Sequence, residues 1–293
     1  MITCIGDLVE DVVVLAPEGV RIGTDSPARV ERHRGGSAAN VAVAARSIGA
    51  PARFVGNVGD DPLGDHLLDQ LTAAGVDIKV TRAGRTGSIV ALIAADGERS
   101  FLTDRGAADQ LTLPPAGWLD DSSVVHVPMY SLLTDPTRTT ALAMVHEARG
   151  RGVAISLDAS STGAITDAGI EHTVGLIIEI APDLLFCNRD EAELLHVDGT
   201  GRLADTIVVK NGAEPTVVFS ARGATSYPVT PVENVLDTTG AGDAFAAGYL
   251  VSWFDGHESQ EAAVTAAHEL SARTVTTFGA TPLPQSGSSP RGG

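Results

Sequence analysis

Lysine is nearly missing from this 293-residue chain, where Lys79 and Lys210 are the only two. Ile78 and Val209 precede them, so the Gly-Lys-[Ser/Thr] phosphate loop is excluded. Basic residues are scarce overall: 20 Lys and Arg stand against 37 Asp and Glu, a net charge of −17. Nucleic acids and anionic membranes attract basic stripes, so neither is expected as a partner. Any polyphosphate ligand must then be held locally, by backbone amides, helix N-termini and a few cations. Cysteine is limited to Cys4 and Cys187, each inside an apolar run. That excludes a disulfide framework or cysteine metal site and predicts two buried thiols. Aromatic residues make up only 4%. No apolar run reaches the ~18 residues of a membrane span. The acidic residues Asp7, Glu10 and Asp11 break up the N-terminal apolar stretch, which excludes a secretory leader and predicts a cytoplasmic location.

What is present is an ordinary apolar content, 43%, enough for one large domain. Strand-length apolar runs (Ile2–Ile5, Arg53–Val58, Val124–Val127, Val153–Leu157, Leu184–Cys187, Thr206–Val209, Thr216–Phe219) alternate with helical patterns. The helical stretches are Ala38–Ile48, Leu63–Ala74, Pro136–Arg149, Asp190–Leu195, Gly242–Trp253 and Gln260–Thr277. This alternation predicts an α/β fold with a mostly parallel central sheet flanked by helices. Val12–His33 and Gly87–Arg105 break the pattern with β-branched residues and turn signals. The second reads as a hairpin turning at Asp96-Gly97, and together they predict a small β appendage outside the main sheet. The tail from Pro284 is rich in Ser, Gly and Pro and reads as flexible.

Asp237-Thr238-Thr239-Gly240-Ala241-Gly242-Asp243-Ala244-Phe245, running into an apolar helix, carries the strongest chemical signal. Small residues let successive N–H groups converge on an anion, and the helix N-terminus adds positive potential. Such an anion hole suits a transferring phosphoryl group. Asp243, at the helix start, can accept a proton from an attacking hydroxyl; the plainer alternative is that it caps its helix. A dinucleotide fingerprint fails, because Phe245 stands where a third glycine is needed. A second glycine turn, Gly35-Gly36-Ser37-Ala38-Ala39-Asn40, opens another helix. Asn40 brings both a donor and an acceptor, as a polyhydroxylated ligand requires.

On these residues the chain resembles the ribokinase-like (PfkB) family of carbohydrate and nucleoside kinases. Asp237–Phe245 matches the C-terminal signature, and Gly35–Asn40, with Val55–Gly64 behind it, matches the N-terminal one; the likeness runs from about Ile2 to Ala280. The resemblance implies a doubly wound core with a β lid: one kinase domain over 1–283, lid segments about 12–33 and 87–105, and a tail over 284–293. It implies ATP and Mg²⁺, and often a monovalent cation such as K⁺. By the same resemblance Asp243 is the catalytic base and Gly240, Ala241 and Gly242 form the anion hole. Asn188 and Glu191, in an Asn-x-x-Glu motif, approach the triphosphate and hold Mg²⁺ through water. Lys210 and Gly212 mark the strand-end turn at the nucleotide phosphates, although Pro215 departs from the family pattern. Asp11 is the acidic residue that grips substrate hydroxyls, beside Gly35, Gly36 and Asn40.

Asp158 ends a strand where α/β ligands gather and is a further candidate. Arg105, after the lid hairpin, either pairs with an anionic group of the substrate or lies on the surface. The expected acceptor is a sugar or sugar acid. A nucleoside kinase is the alternative, which Phe101 on the lid keeps open, and a catalytically silent sugar-binding protein is the reading from another class. Pairing of two copies through the lid would cover its strand edges and make a homodimer.

Overall fold

A computed structural model of the chain describes residues 1–94, 99–112, 114–197, 203–255, 259–277 and 279–280. The expected turn at Asp96-Gly97 and the tail from Pro284 lie outside the described residues.

Thirteen strands and eight α-helices alternate along the described chain. Nine strands form one sheet. They are β1 (Ile2–Ile5), β4 (Ala52–Val58), β5 (Asp77–Arg82), β8 (Val124–Pro128), β9 (Ala154–Asp158), β10 (Leu184–Asn188), β11 (Thr206–Lys210), β12 (Thr216–Ser220) and β13 (Gly223–Tyr227). Their spatial order is β13-β12-β11-β10-β9-β8-β1-β4-β5. The pairings from β5 across to β11 are parallel, and β12 and β13 close one edge antiparallel. The central strands read as unbroken Val/Ile/Leu runs because helices cover both faces. One apolar core joins Phe54, Phe186 and Tyr249 to the helices α1 (Ser37–Ser47), α7 (Ala241–Asp255) and α8 (Gln260–Thr274); α2 (Pro62–Ala73) packs there too. The core on the opposite face takes in α3 (Thr137–Gly150), α5 (Ile170–Ile180) and α6 (Arg189–Leu194). This is the α/β architecture with a mostly parallel sheet predicted from the alternation, and the doubly wound core that the family resemblance implies.

The predicted strands and helices all form, with no end shifted by more than three residues. Three elements were not foreseen beside β13: β5, α5 and the short helix α4 (Thr162–Ala168). In α5 a β-branched run hides a helical face, whose buried residues Thr173, Leu176, Ile177 and Ile180 recur at helical spacing. In β5 the apolar Ile78 and Val80 alternate with charged residues, as on a half-buried edge strand.

The two irregular segments form a separate four-stranded sheet: β2 (Val9–Leu15), β3 (Arg29–Gly35), β6 (Thr86–Ile93) and β7 (Arg99–Gly106), in the order β3-β2-β6-β7. The strand β2 begins at Val9, earlier than the sequence pattern suggests, so Asp11 belongs to this small sheet and not to the loop after β1. Among the described residues no helix is long and apolar enough to cross a membrane.

Candidate active site

The carboxyl ends of β1, β9, β10 and β11 open onto a cleft of about 1850 Å³ that also meets the N-termini of α1 and α7 and one face of the small sheet. Strands leave β1 in both directions, toward β4 and toward β8, so the cleft lies at the topological switch point.

Asp243 sits in the first turn of α7, and its carboxylate faces α1. Ser37 Oγ donates to Oδ1 at 2.7 Å, and Asn40 Nδ2 donates to Oδ2 at 2.9 Å. Behind Asn40, the buried Arg34 donates from Nη1 to Asn40 Oδ1 at 2.6 Å. The two glycine motifs, some 200 residues apart, therefore meet at one carboxylate. Burial drives the Asp243 pKa up to about 7 against the lowering effect of the Ser37 and Asn40 hydrogen bonds. Burial likewise pulls Arg34 down to about 10, although Asp243 and Asp11 favour its charge. A carboxylate tied to α1 in this way does more than cap its own helix.

Gly240 and Gly242 have different reasons to be glycine. Gly240 has φ +73, and a Cβ there would collide with Ala280. Gly242 needs no left-handed backbone; its missing side chain leaves room beside Lys210 Nζ, 3.3 Å from where a Cβ would sit. The first N–H groups of a helix lack intrahelical partners and suit an anion; here Ala241 N turns back to Thr238 O at 3.2 Å, and Gly242 opens toward Lys210.

Lys210 Nζ also donates to Asp158 Oδ2 at 2.7 Å. Burial opposes its charge, but Asp158 and Glu191 outweigh that and raise its pKa. Asp158 is thus a pocket residue, held further by the Ser160 amide at 2.9 Å. Asn188 and Glu191 form a complete capping box on α6: Asn188 N donates to Glu191 Oε2 at 2.8 Å, Asn188 Nδ2 to Oε1 at 2.8 Å, and Glu191 N to Asn188 Oδ1 at 2.9 Å. Glu191 is buried, not solvated, and burial together with Asp158 raises its pKa to about 7.

The pfkB carbohydrate kinase family model matches residues 1–286. The chain belongs to this family. The ATP-dependent ribose-1-phosphate kinase of Halopiger xanaduensis is 32% identical to it, over 75% of this chain and 73% of that one. The fructokinase of Klebsiella pneumoniae is 30% identical, over 81% and 82%. The crystal structure of a sugar kinase from Pyrococcus horikoshii in complex with ATP superposes with a TM-score of 0.83, at 24% identity, covering 96% of this chain and 95% of that one.

In this PfkB kinase one side of the cleft holds Asp11, whose carboxylate lies against Gly35; a Cβ on Gly35 would strike it. Burial and then Asp7 raise Asp11 to about 6. Gly36 precedes the first residue of α1 and lines the cleft with Ser37 and Asn40. Gly212 lines the far side with Lys210. Arg105 lines the cleft, but its Nη1 donates to Asp7 Oδ2 at 3.1 Å and its guanidinium lies 4.2 Å from the centre of the Tyr130 ring. Sequence reasoning missed Asp7, Arg34, Ser37 and Tyr130 as site residues. Ser37 and Arg34 lie within or next to the glycine turn Gly35–Asn40, and Asp7 follows the end of the first apolar run, so they had a signal; Tyr130 had none, because a 3₁₀ turn after β8 carries it here.

Proposed function

We propose that this kinase transfers the γ-phosphoryl group of ATP to a hydroxyl of a small polyhydroxylated acceptor. The observation that carries the reading is the buried Asp243 carboxylate, fixed by Ser37 and Asn40 beside the α7 N-terminus and Lys210. The acceptor oxygen attacks the γ-phosphorus, its proton passes to Asp243, and the bond to the bridging oxygen of ADP breaks. Gly240, Ala241 and Gly242 supply amides to the charge that builds on the phosphoryl group. Asn188, Lys210 and Gly212 hold the triphosphate, and Asp11, Gly35, Gly36 and Asn40 orient the acceptor. Asn40 serves chiefly by holding Asp243, since its amide is engaged there and at Arg34.

Among the described residues no group of three or more His, Cys, Asp or Glu could hold a metal ion. That donor set suits Mg²⁺ arriving with the nucleotide and touching Glu191 through water, and does not suit an all-protein cage. Bound Mg²⁺ would neutralise phosphate charge; Glu191 and Asp158 would orient its waters.

The small sheet forms a lid over the acceptor, and pairing through its outer face makes a homodimer. The test is a phosphoryl-transfer screen with labelled ATP over sugars, polyols and nucleosides, with Asp243→Asn in parallel. Loss of the base is expected to cut kcat by about 10²–10⁴-fold while ATP still binds. Wild-type turnover by the variant, or ligand binding without any transfer across the screen, would sink the reading.

A further inference from the structure

The acceptor end of the cleft is more apolar than a sugar requires. Strand register arranges the inner face of the small sheet in rows. One row holds His33, Asp11, Ile89 and Thr103; the next, two residues along each strand, holds Glu31, Val13, Ala91 and Phe101. Beyond it come Leu15 and Ile93, paired across β2 and β6. Two residues of strand span about 7 Å. The carboxylate at Asp11 is therefore followed, one row outward, by an apolar ceiling that lines the same cleft as Asp243. Phe101 on this ceiling is 60% exposed and Leu15 39%.

Charge on this side of the cleft is balanced or negative. Among the described residues, Arg29 pairs with Glu31 at 2.5 Å, His33 Nε2 lies 3.3 Å from the same carboxylate, and Arg105 pairs with Asp7 at 3.1 Å. Asp109 also acts on Arg105, Asp11 adds a further carboxylate, and Arg34 is buried behind Asn40. Among the described side chains that line this end of the cleft, Arg29 is engaged by Glu31 and Arg105 by Asp7, so a phosphate or carboxylate on the acceptor would meet Asp7 and Asp11, and like charges at that range repel. Anionic acceptors are disfavoured, including the sugar acids and sugar phosphates that a free Arg105 would have invited.

We infer that the acceptor is a neutral nucleoside, with its ribose hydroxyls at Asp11 and its base under Val13, Ala91 and Phe101. The inference rests on the kinase reading above and narrows its acceptor. A ribose alone leaves the apolar row wet. A base one row further out fills it, and its face stacks on the Phe101 ring, a contact worth enough in comparable sites to change affinity about tenfold or more.

The test uses the full chain in two parallel measurements: calorimetric binding and labelled phosphoryl transfer from ATP. The probes are adenosine, guanosine, cytidine, uridine, ribose, fructose and ribose 1-phosphate. At least one nucleoside is expected to bind about tenfold or more tighter than ribose and to accept phosphate. Phe101→Ala should reduce that preference about tenfold; the side chain is exposed, and a thermal melt checks the fold. Tighter binding and faster transfer with ribose, fructose or ribose 1-phosphate would overturn the inference and leave the kinase reading intact. A nucleoside preference unchanged by Phe101→Ala would overturn the placement of the base. Nucleoside binding with no transfer to any probe would defeat the kinase reading and uphold the ceiling assignment. No binding of any nucleoside would defeat the inference outright.

Discussion

At the scale of single residues, the site is a carboxylate kept close to neutrality by burial. With the pKa of Asp243 near 7, the proposed mechanism needs this group deprotonated in the free enzyme. Its kcat/KM should fall about tenfold for each pH unit below 7 and level off above it. Below about 6, protonation of Asp11 adds a second proton, and the slope should approach two. A profile flat from pH 5 to 8 would remove both groups from the rate law. The Asn40 amide stabilises the charged form of Asp243, so Asn40→Ala should move the limb to higher pH. The shift should be about one unit, since a charge-assisted hydrogen bond is worth ~1.5–3 kcal/mol and one pKa unit ~1.4. A loss of activity with the limb unmoved would make Asn40 a contact of the acceptor and not a positioner of the base.

At the scale of elements, two helix starts do the positioning. The turn before α7 depends on Gly240, with its left-handed backbone packed on Ala280. Gly240→Ala should cost roughly 1–3 kcal/mol of stability, read as a lower melting temperature. Gly242→Ala should melt like the parent, because the position is helical and alanine suits a helix. Its Cβ would press on Lys210 and displace the phosphate, lowering kcat by up to roughly 10²-fold. The reverse ranking, with Gly242 controlling stability and Gly240 controlling rate, would contradict the roles assigned here. On α6 the capping box occupies both oxygens of Glu191. Glu191→Gln should raise the Mg²⁺ needed for half-maximal rate. A shifted melt with an unchanged Mg²⁺ titration would reduce Glu191 to a helix cap.

At the scale of the whole molecule, the small sheet is apolar on both faces. Its inner face covers the cleft; its outer face carries Val30 and Leu102, 53% and 61% exposed, on opposite edge strands. A thin sheet exposed on both faces, with open edges, calls for a partner, and a second copy is the commonest one. Sedimentation should find a dimer at micromolar concentration, and Leu102→Glu should shift it toward monomer. A wild-type monomer would discard pairing through the lid.

Much of this protein is legible in its sequence. The alternation of buried strands and amphipathic helices calls for a mostly parallel sheet flanked by helices, because a parallel sheet needs both faces covered. The glycine turn before Asp243 predicts an anion site, since only small residues let amides converge. The local sequence also contains the Asn188–Glu191 box, which closes within one turn of helix. Other features depend on long-range packing. That Asn40 orients Asp243, that Lys210 answers Asp158, and that Arg105 is spent on Asp7 and Tyr130 are contacts between residues about 25 to 200 positions apart. No local periodicity encodes them. They exist because the crossovers return each strand end to the same rim of the sheet, and burial there makes unpaired charge too costly to leave unmatched. Residue type alone leaves Arg105 between an anionic acceptor and the surface; only the tertiary structure reveals that its charge is met by Asp7.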